Sequence, residues 1–104
     1  MPEVLDPKKF DSFIKEKTPC VIDFWASWCG PCQMLGPVFE EMDKEFKGKL
    51  RFGKLNVDEN QEIAARFEVM SIPCMIVFKN GKESGRIMGF MPKPALKERI
   101  QELL

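Results

Sequence analysis

The sequence predicts an α/β fold in one domain: a mixed central sheet of about five strands flanked by four helices, in the order β-α-β-α-β-α-β-β-α. Three observations point there. Apolar, strand-like runs alternate with amphipathic stripes of helical spacing, which implies a parallel sheet portion with helices on both faces. The last two strand segments are joined by Asn80-Gly81, a two-residue hairpin signal, which adds an antiparallel portion. A chain of 104 residues is long enough to bury one core without disulfide staples, and 44% hydrophobic with 31% charged residues is an ordinary globular composition. No repeat, linker or low-complexity stretch divides it, so residues 1–104 are expected to be one domain.

Val4 and Leu5 are too few for more than a short edge strand. Asp6 is a good helix N-cap, and Pro7 suits the first helical position, where a missing N–H leaves nothing unpaired. Phe10, Phe13 and Ile14 then repeat at helical spacing until Thr18-Pro19 ends the helix. Cys20 to Ala26 is a nearly continuous apolar run, the pattern of a central strand buried on both faces. From Pro31 to about Phe46, the stripe Leu35, Val38, Phe39, Met42 and Phe46 opposes Glu40, Glu41, Asp43, Lys44 and Lys47. Pro37 inside that helix removes one backbone hydrogen bond, which lets the first turn point differently from the rest. Gly48 is expected to cap its end. Leu50 to Val57 reads as a strand, with Leu50 and Phe52 alternating against Arg51 and Gly53. A helix beginning near Asn60 should bury Ile63, Ala64 and Phe67. Met70-Ser71-Ile72-Pro73 breaks the pattern before the strand Cys74–Phe78, which Asn80-Gly81 returns into roughly Glu83–Met88. Pro92-Lys93-Pro94 introduces a last helix with Leu96, Ile100, Leu103 and Leu104 on its apolar side.

Sixteen basic residues balance sixteen acidic ones, and no basic run offers a footprint for nucleic acid or an anionic membrane. Neither is an expected partner. The N-terminal residues Met1 to Asp6 have no basic or apolar leader pattern, and no apolar run approaches a membrane span, so a cytoplasmic location is expected. In a reducing compartment cysteines are more often catalytic than structural. The chain has no His and no Tyr, so any proton transfer near a thiol falls to a carboxylate, a Lys or water.

The chemistry concentrates at Asp23-Phe24-Trp25-Ala26-Ser27-Trp28-Cys29-Gly30-Pro31-Cys32. Two thiols two residues apart at the start of a helix can close into a disulfide with little backbone movement, and the helix N-terminus stabilises a thiolate on the first. Gly30 permits a tight turn and Pro31 suits the first helical position. Cys29, preceding the first turn, is expected to be the exposed attacking thiolate, and Cys32 to face inward and resolve. Zinc and iron–sulfur sites use the same spacing, but a second pair would be expected for zinc. Cys20 and Cys74 lie far off at irregular spacing, and no metal is expected. Nor is any organic cofactor, because no Gly-rich dinucleotide fingerprint is present.

The run Asp23 to Ala26 followed by Trp28-Cys29-Gly30-Pro31-Cys32 resembles the active-site signature of the thioredoxin family, down to the dipeptide between the cysteines. Lys54-Leu55-Asn56-Val57-Asp58, Ser71-Ile72-Pro73, Phe78-Lys79-Asn80-Gly81 and Gly89 follow in the family's order and at about its spacing. The resemblance spans essentially the whole chain. It implies the thioredoxin fold and a general protein-disulfide reductant, a monomeric electron carrier acting on disulfide-containing proteins. A separate thioredoxin reductase, NADPH- or ferredoxin-dependent, would restore the dithiol. An oxidase or isomerase on the same fold is disfavoured by Gly30-Pro31, and a binding module with an ancillary dithiol is the other class to be tested.

Asp23, an acid inside an apolar strand, could be a carboxylate that reaches solvent; the resemblance implies instead a buried group that moves a proton to or from Cys32. Lys54 would by default be a solvated charge, and the resemblance sets it near that acid as a tuning residue. Pro73 would by default be trans. The resemblance implies a cis bond beside the cysteines, with the Ile72 backbone pairing with substrate like an added strand. Trp28, Gly30, Pro31, Ile72 and Gly89 are expected to form an apolar rim around the dithiol, Phe90 and Met91 being core residues or an extension of it. Trp25 is expected to pack under the loop. Cys74 departs from the Thr usual in the family and reads as a small buried hydrophobe, with a regulatory thiol as the alternative; Cys20 is expected to be inert.

Overall fold

The computed structural model describes residues 1–104, and its elements follow the expected order. They are β1 (Glu3–Val4), α1 (Pro7–Lys15), β2 (Cys20–Trp25), α2 (Gly30–Glu45), β3 (Arg51–Asn56), α3 (Gln61–Arg66), β4 (Cys74–Lys79), β5 (Lys82–Met88) and α4 (Lys93–Leu103). The five strands form one sheet in the order β1-β3-β2-β4-β5. Parallel pairing joins β1 to β3 and β3 to β2, and antiparallel pairing joins β2 to β4 and β4 to β5. No helix is long and apolar enough to cross a membrane.

Local chemistry accounts for the boundaries. Asp6 caps α1, its carboxylate accepting from the Lys9 N–H at 2.9 Å, with Pro7 at the first helical position. Asn80 and Gly81 both have positive φ, +54° and +82°, which is the backbone a tight two-residue hairpin demands and which Asn and Gly tolerate best. Gly48, at φ +87°, turns the chain after α2 toward β3.

Two apolar layers sandwich the sheet. Phe10, Phe13 and Ile14 of α1 and Ile63 of α3 pack on Ile22, Phe24, Ile76 and Phe78. On the other face Leu35, Phe39 and Met42 of α2 join Leu96 and Ile100 of α4 over Val21, Phe52, Met75 and Val77. Lys93 and Lys97 of α4 pair with Glu45 of α2, and Lys93 also with Glu41 at 3.1 Å, so the two helices are pinned at their solvent edge. β2 lies at the centre with partners on both edges, and it delivers the chain to the start of α2.

Three expectations change. The alternation in β3 does not leave Gly53 outside: it is buried, and a Cβ there would come within 2.9 Å of Leu5 and 3.0 Å of Phe13. The small residue makes room for α1 and the segment after β1, so this strand is covered on both faces. Phe67 is half-buried rather than buried, ending α3 with its ring against Phe78. Leu104 lies past the last turn of α4 and is exposed, leaving Leu96 and Ile100 to anchor the helix.

Candidate functional site

Cys29 is the N-cap of α2 and Cys32 lies in its first turn, and the two are joined in a disulfide with Cα atoms 5.2 Å apart. The Cys32 N–H donates to Cys29 Sγ at 3.2 Å, so this sulfur fills the place that a Ser or Asp oxygen takes in an ordinary helix cap. A free N-terminal N–H and the dipole of a 16-residue helix therefore both act on Cys29 Sγ, and both favour negative charge there. Pro31 sits where it costs the helix no hydrogen bond. Pro37 lies inside the helix, where it cannot bond back to Gln33.

Exposure does not separate the two sulfurs as expected. Cys29 is 5% exposed and Cys32 4%. Both pack with Ala26 in a small cluster roofed by Trp25, Val57 and Ile72, and the Ile72 carbonyl oxygen lies 3.9 Å from Cys29 Sγ. Cys29 is thus covered by the loop before β4, and position at the helix end distinguishes it from Cys32.

Asp23 lies in the middle of β2 with no exposed surface, and neither carboxylate oxygen has a hydrogen-bond partner. Its register neighbours are Lys54 on β3 and Met75 on β4. Val21, two residues earlier, belongs to the α2 and α4 layer, so strand alternation puts Asp23 on the α2 face of the sheet. Burial penalises the charged form and pushes the group up to about 7, against a smaller opposing pull from Lys54. Lys54 is half-buried, its ammonium 4.9 Å from the centre of the Trp25 ring. This lysine therefore acts on Asp23 through space rather than as an ion-pair partner.

The rim divides into two parts. Trp28 is 69% exposed, while its indole N–H donates to Asp58 at 2.9 Å and so fixes the ring over the loop after β3. Gly30 and Pro31 are also exposed. Opposite them, the Ile72–Pro73 peptide is cis, and the Pro73 carbonyl accepts from the Gly89 N–H at 2.8 Å, with Gly89 at φ +85°. Ile72 and Gly89 are half-open while Pro73 itself is buried. Phe90 and Met91 are half-buried and pack against the α2 and α4 layer at its edge.

Sequence reasoning passed over Asp58. The signal was present: Asn56 accepts from the N–H groups of Asp58 and Glu59, so the turn that sets Asp58 is written in a short Asn-x-Asp stretch, but its target is thirty positions away in sequence. Cys20 and Cys74 are free thiols within β2 and β4. Burial pushes Cys20 up to about 11, and Cys74 is raised for the same reason.

A family profile described as Thioredoxin matches residues 1–102. Among curated relatives, a thioredoxin of Staphylococcus saprophyticus is 52% identical over 84 residues, 81% of each chain. A thioredoxin of Staphylococcus aureus is 47% identical over 95 residues, 91% of this chain and 90% of the relative.

Proposed function

The chain belongs to the thioredoxin family, a protein-disulfide reductant working by dithiol–disulfide exchange, and on that premise we propose the roles its residues play. In the reduced protein the Cys29 thiolate attacks one sulfur of a substrate disulfide. That bond breaks, one substrate sulfur leaves as a thiolate, and a mixed disulfide forms. Cys32 gives its proton to Asp23 and attacks Cys29 Sγ, releasing the second substrate thiolate. Two electrons have passed to the substrate, and Cys29–Cys32 is left as the disulfide. The observation that carries this assignment is the Cys29 sulfur acting as the cap of α2, which favours the thiolate at one position of the pair.

Asp23 suits the proton transfer because a carboxyl that titrates at about 7 can hold or release a proton near neutral pH. Lys54 keeps it from rising further. Trp28, Gly30, Pro31, Ile72, Pro73 and Gly89 receive the substrate segment, the Ile72 backbone pairing with it as an added strand. Disulfide-bearing proteins are the substrates, and a reductase returns two electrons to the pair, with one proton restored to Cys32 while Cys29 stays a thiolate. We propose that residues 1–104 act as one monomeric domain in the cytoplasm, where the unpaired Cys20 and Cys74 suit a reducing medium. An NADPH- or ferredoxin-dependent thioredoxin reductase is the electron source.

A redox titration tests the reading: the fraction of Cys29–Cys32 disulfide is measured by mass after alkylation across poised thiol buffers. As class values, thioredoxins lie near about −270 mV and disulfide isomerases near about −180 mV. A midpoint near the former, fitting a two-electron couple, is expected. A midpoint near the latter would reassign the protein to disulfide formation.

A further inference from the structure

One exposed methionine is set apart from the others by what its sulfur meets. Met1, Met34, Met70 and Met88 all have open side chains, whereas Met42 and Met75 are sealed in the core. Only at Met88, 63% exposed, does a hydroxyl face the sulfur: Ser71 Oγ donates to it from 4.0 Å. A thioether is a weak acceptor, so this contact is loose. Its position gives it leverage. Ser71 immediately precedes Ile72, whose carbonyl oxygen lies 3.9 Å from Cys29 Sγ, and Met88 immediately precedes Gly89, whose N–H donates to the Pro73 carbonyl at 2.8 Å. The segment that covers Cys29 is thus held firmly at Pro73 and only loosely at Ser71, in both cases by residues where β5 ends.

An exposed thioether is open to hydroperoxides. The sulfur donates an electron pair to one peroxide oxygen, an S–O bond forms, and the O–O bond breaks. The sulfur is oxidised by two electrons to the sulfoxide, and the hydroperoxide is reduced to an alcohol or, from hydrogen peroxide, to water, which keeps the proton. A sulfoxide oxygen is a far stronger acceptor than the thioether it replaces. In the epimer that faces Ser71 it projects from the sulfur toward a donor already in place. Cys29 is 5% exposed, so a substrate disulfide reaches its sulfur only when the cover gives way. Tied at both Ser71 and Pro73, the cover gives way less.

We propose that Met88 is an oxidative modification site: a hydroperoxide converts it to the sulfoxide, the Ser71 hydroxyl binds the new oxygen, and the tightened segment over Cys29 slows disulfide exchange. This rests on the exchange activity assigned above to Cys29 and Cys32. The cysteines take no part in the step, since in the oxidised carrier Cys29 and Cys32 are already paired and Cys20 and Cys74 are buried. The regulation is reversible, because methionine sulfoxide reductases return the thioether.

The experiment treats the disulfide form with hydrogen peroxide, raised until the open Met70 has reacted, and locates the added oxygen by peptide mapping. Dithiothreitol then reduces the disulfide and leaves sulfoxides in place, and the rate at which the protein reduces insulin is measured. Met88 should gain one oxygen, and the rate should fall about fivefold, the worth of one ordinary hydrogen bond. Each variant is compared with its own untreated form. Met88→Leu should show no fall. Ser71→Ala should gain the oxygen at Met88 but keep its rate, which separates the hold of the hydroxyl from a polar group merely added near the site. Incubating the treated wild-type chain with methionine sulfoxide reductases for both epimers should restore the rate. A Met88 that stays unoxidised when Met70 has reacted, an unchanged rate, or a fall that persists in either variant or after the oxygen is removed overturns the inference and leaves the exchange activity intact. Failure of the untreated chain to reduce insulin would overturn the exchange reading together with the regulation built on it.

Discussion

The two strand cysteines and the two helix cysteines are almost equally hidden, none more than 5% exposed, yet they stand in opposite electrostatic settings. Cys20 and Cys74 lie within strands whose dipoles largely cancel, and burial, the largest influence on each, outweighs the opposing pull of Arg51 on Cys20 and of Arg86 on Cys74 and keeps the thiol neutral. Cys29 caps α2 and Cys32 lies in its first turn, where the Cys32 N–H, without a partner inside the helix, donates to the Cys29 sulfur. Accessible area therefore does not mark the reactive pair in this chain. The end of a helix does.

The sharpest way to break that contrast is substitution. Cys29→Ser should take insulin-disulfide reduction to background, whereas Cys20→Ser and Cys74→Ser, made singly in protein shown by circular dichroism to be folded, should retain turnover. A comparable loss in Cys74→Ser would place that thiol in the reaction.

Asp23 supplies the next largest effect. Its carboxyl titrates at about 7 in the folded chain, against a reference value of 3.8. Folding is thus unpenalised below about pH 4, loses stability as pH rises from there to about 7, and bears the full cost above it. At 1.36 kcal/mol per pH unit that cost is at most about 4 kcal/mol. Asp23→Asn should accordingly stabilise the oxidised protein at pH 8 by up to that amount and hardly at all at pH 4, as read from urea unfolding at the two values. The same variant should slow release of the mixed disulfide.

Alkylation gives a smaller but direct comparison. In the reduced native protein at pH 7, iodoacetamide should modify Cys29 at least about a hundredfold faster than Cys20 or Cys74, which should react only as the fold opens. Peptide mapping over time resolves the four sites. Smallest of all, Cys20→Ala should cost about 1 kcal/mol of stability and leave the exchange rate alone, because only a small buried group is lost.

Much of the architecture is written in short-range signals. The Asp6-Pro7 cap, the Asn80-Gly81 turn and the apolar stripes each act within a few residues, so the chain reports them directly. Cys29 and Cys32 were legible for the same reason: their spacing is local and helix-starting. The features that were not legible depend on distant partners. Gly53 is buried because Leu5 and Phe13 arrive from elsewhere, Cys29 is covered because Ile72 folds over it, and Asp58 meets Trp28 across two loops. The cis Ile72–Pro73 bond was reached through family resemblance and not from composition.

The covering of Cys20 and Cys74 has a kinetic corollary. With those thiols sealed in the sheet, charge can enter and leave this carrier only through the Cys29–Cys32 opening between Trp28 and Ile72. The donor that fills the carrier and the acceptor that drains it must take turns at a single port. Steady-state kinetics should then follow a ping-pong law, and excess acceptor should compete with the donor, throttling the cycle it feeds on.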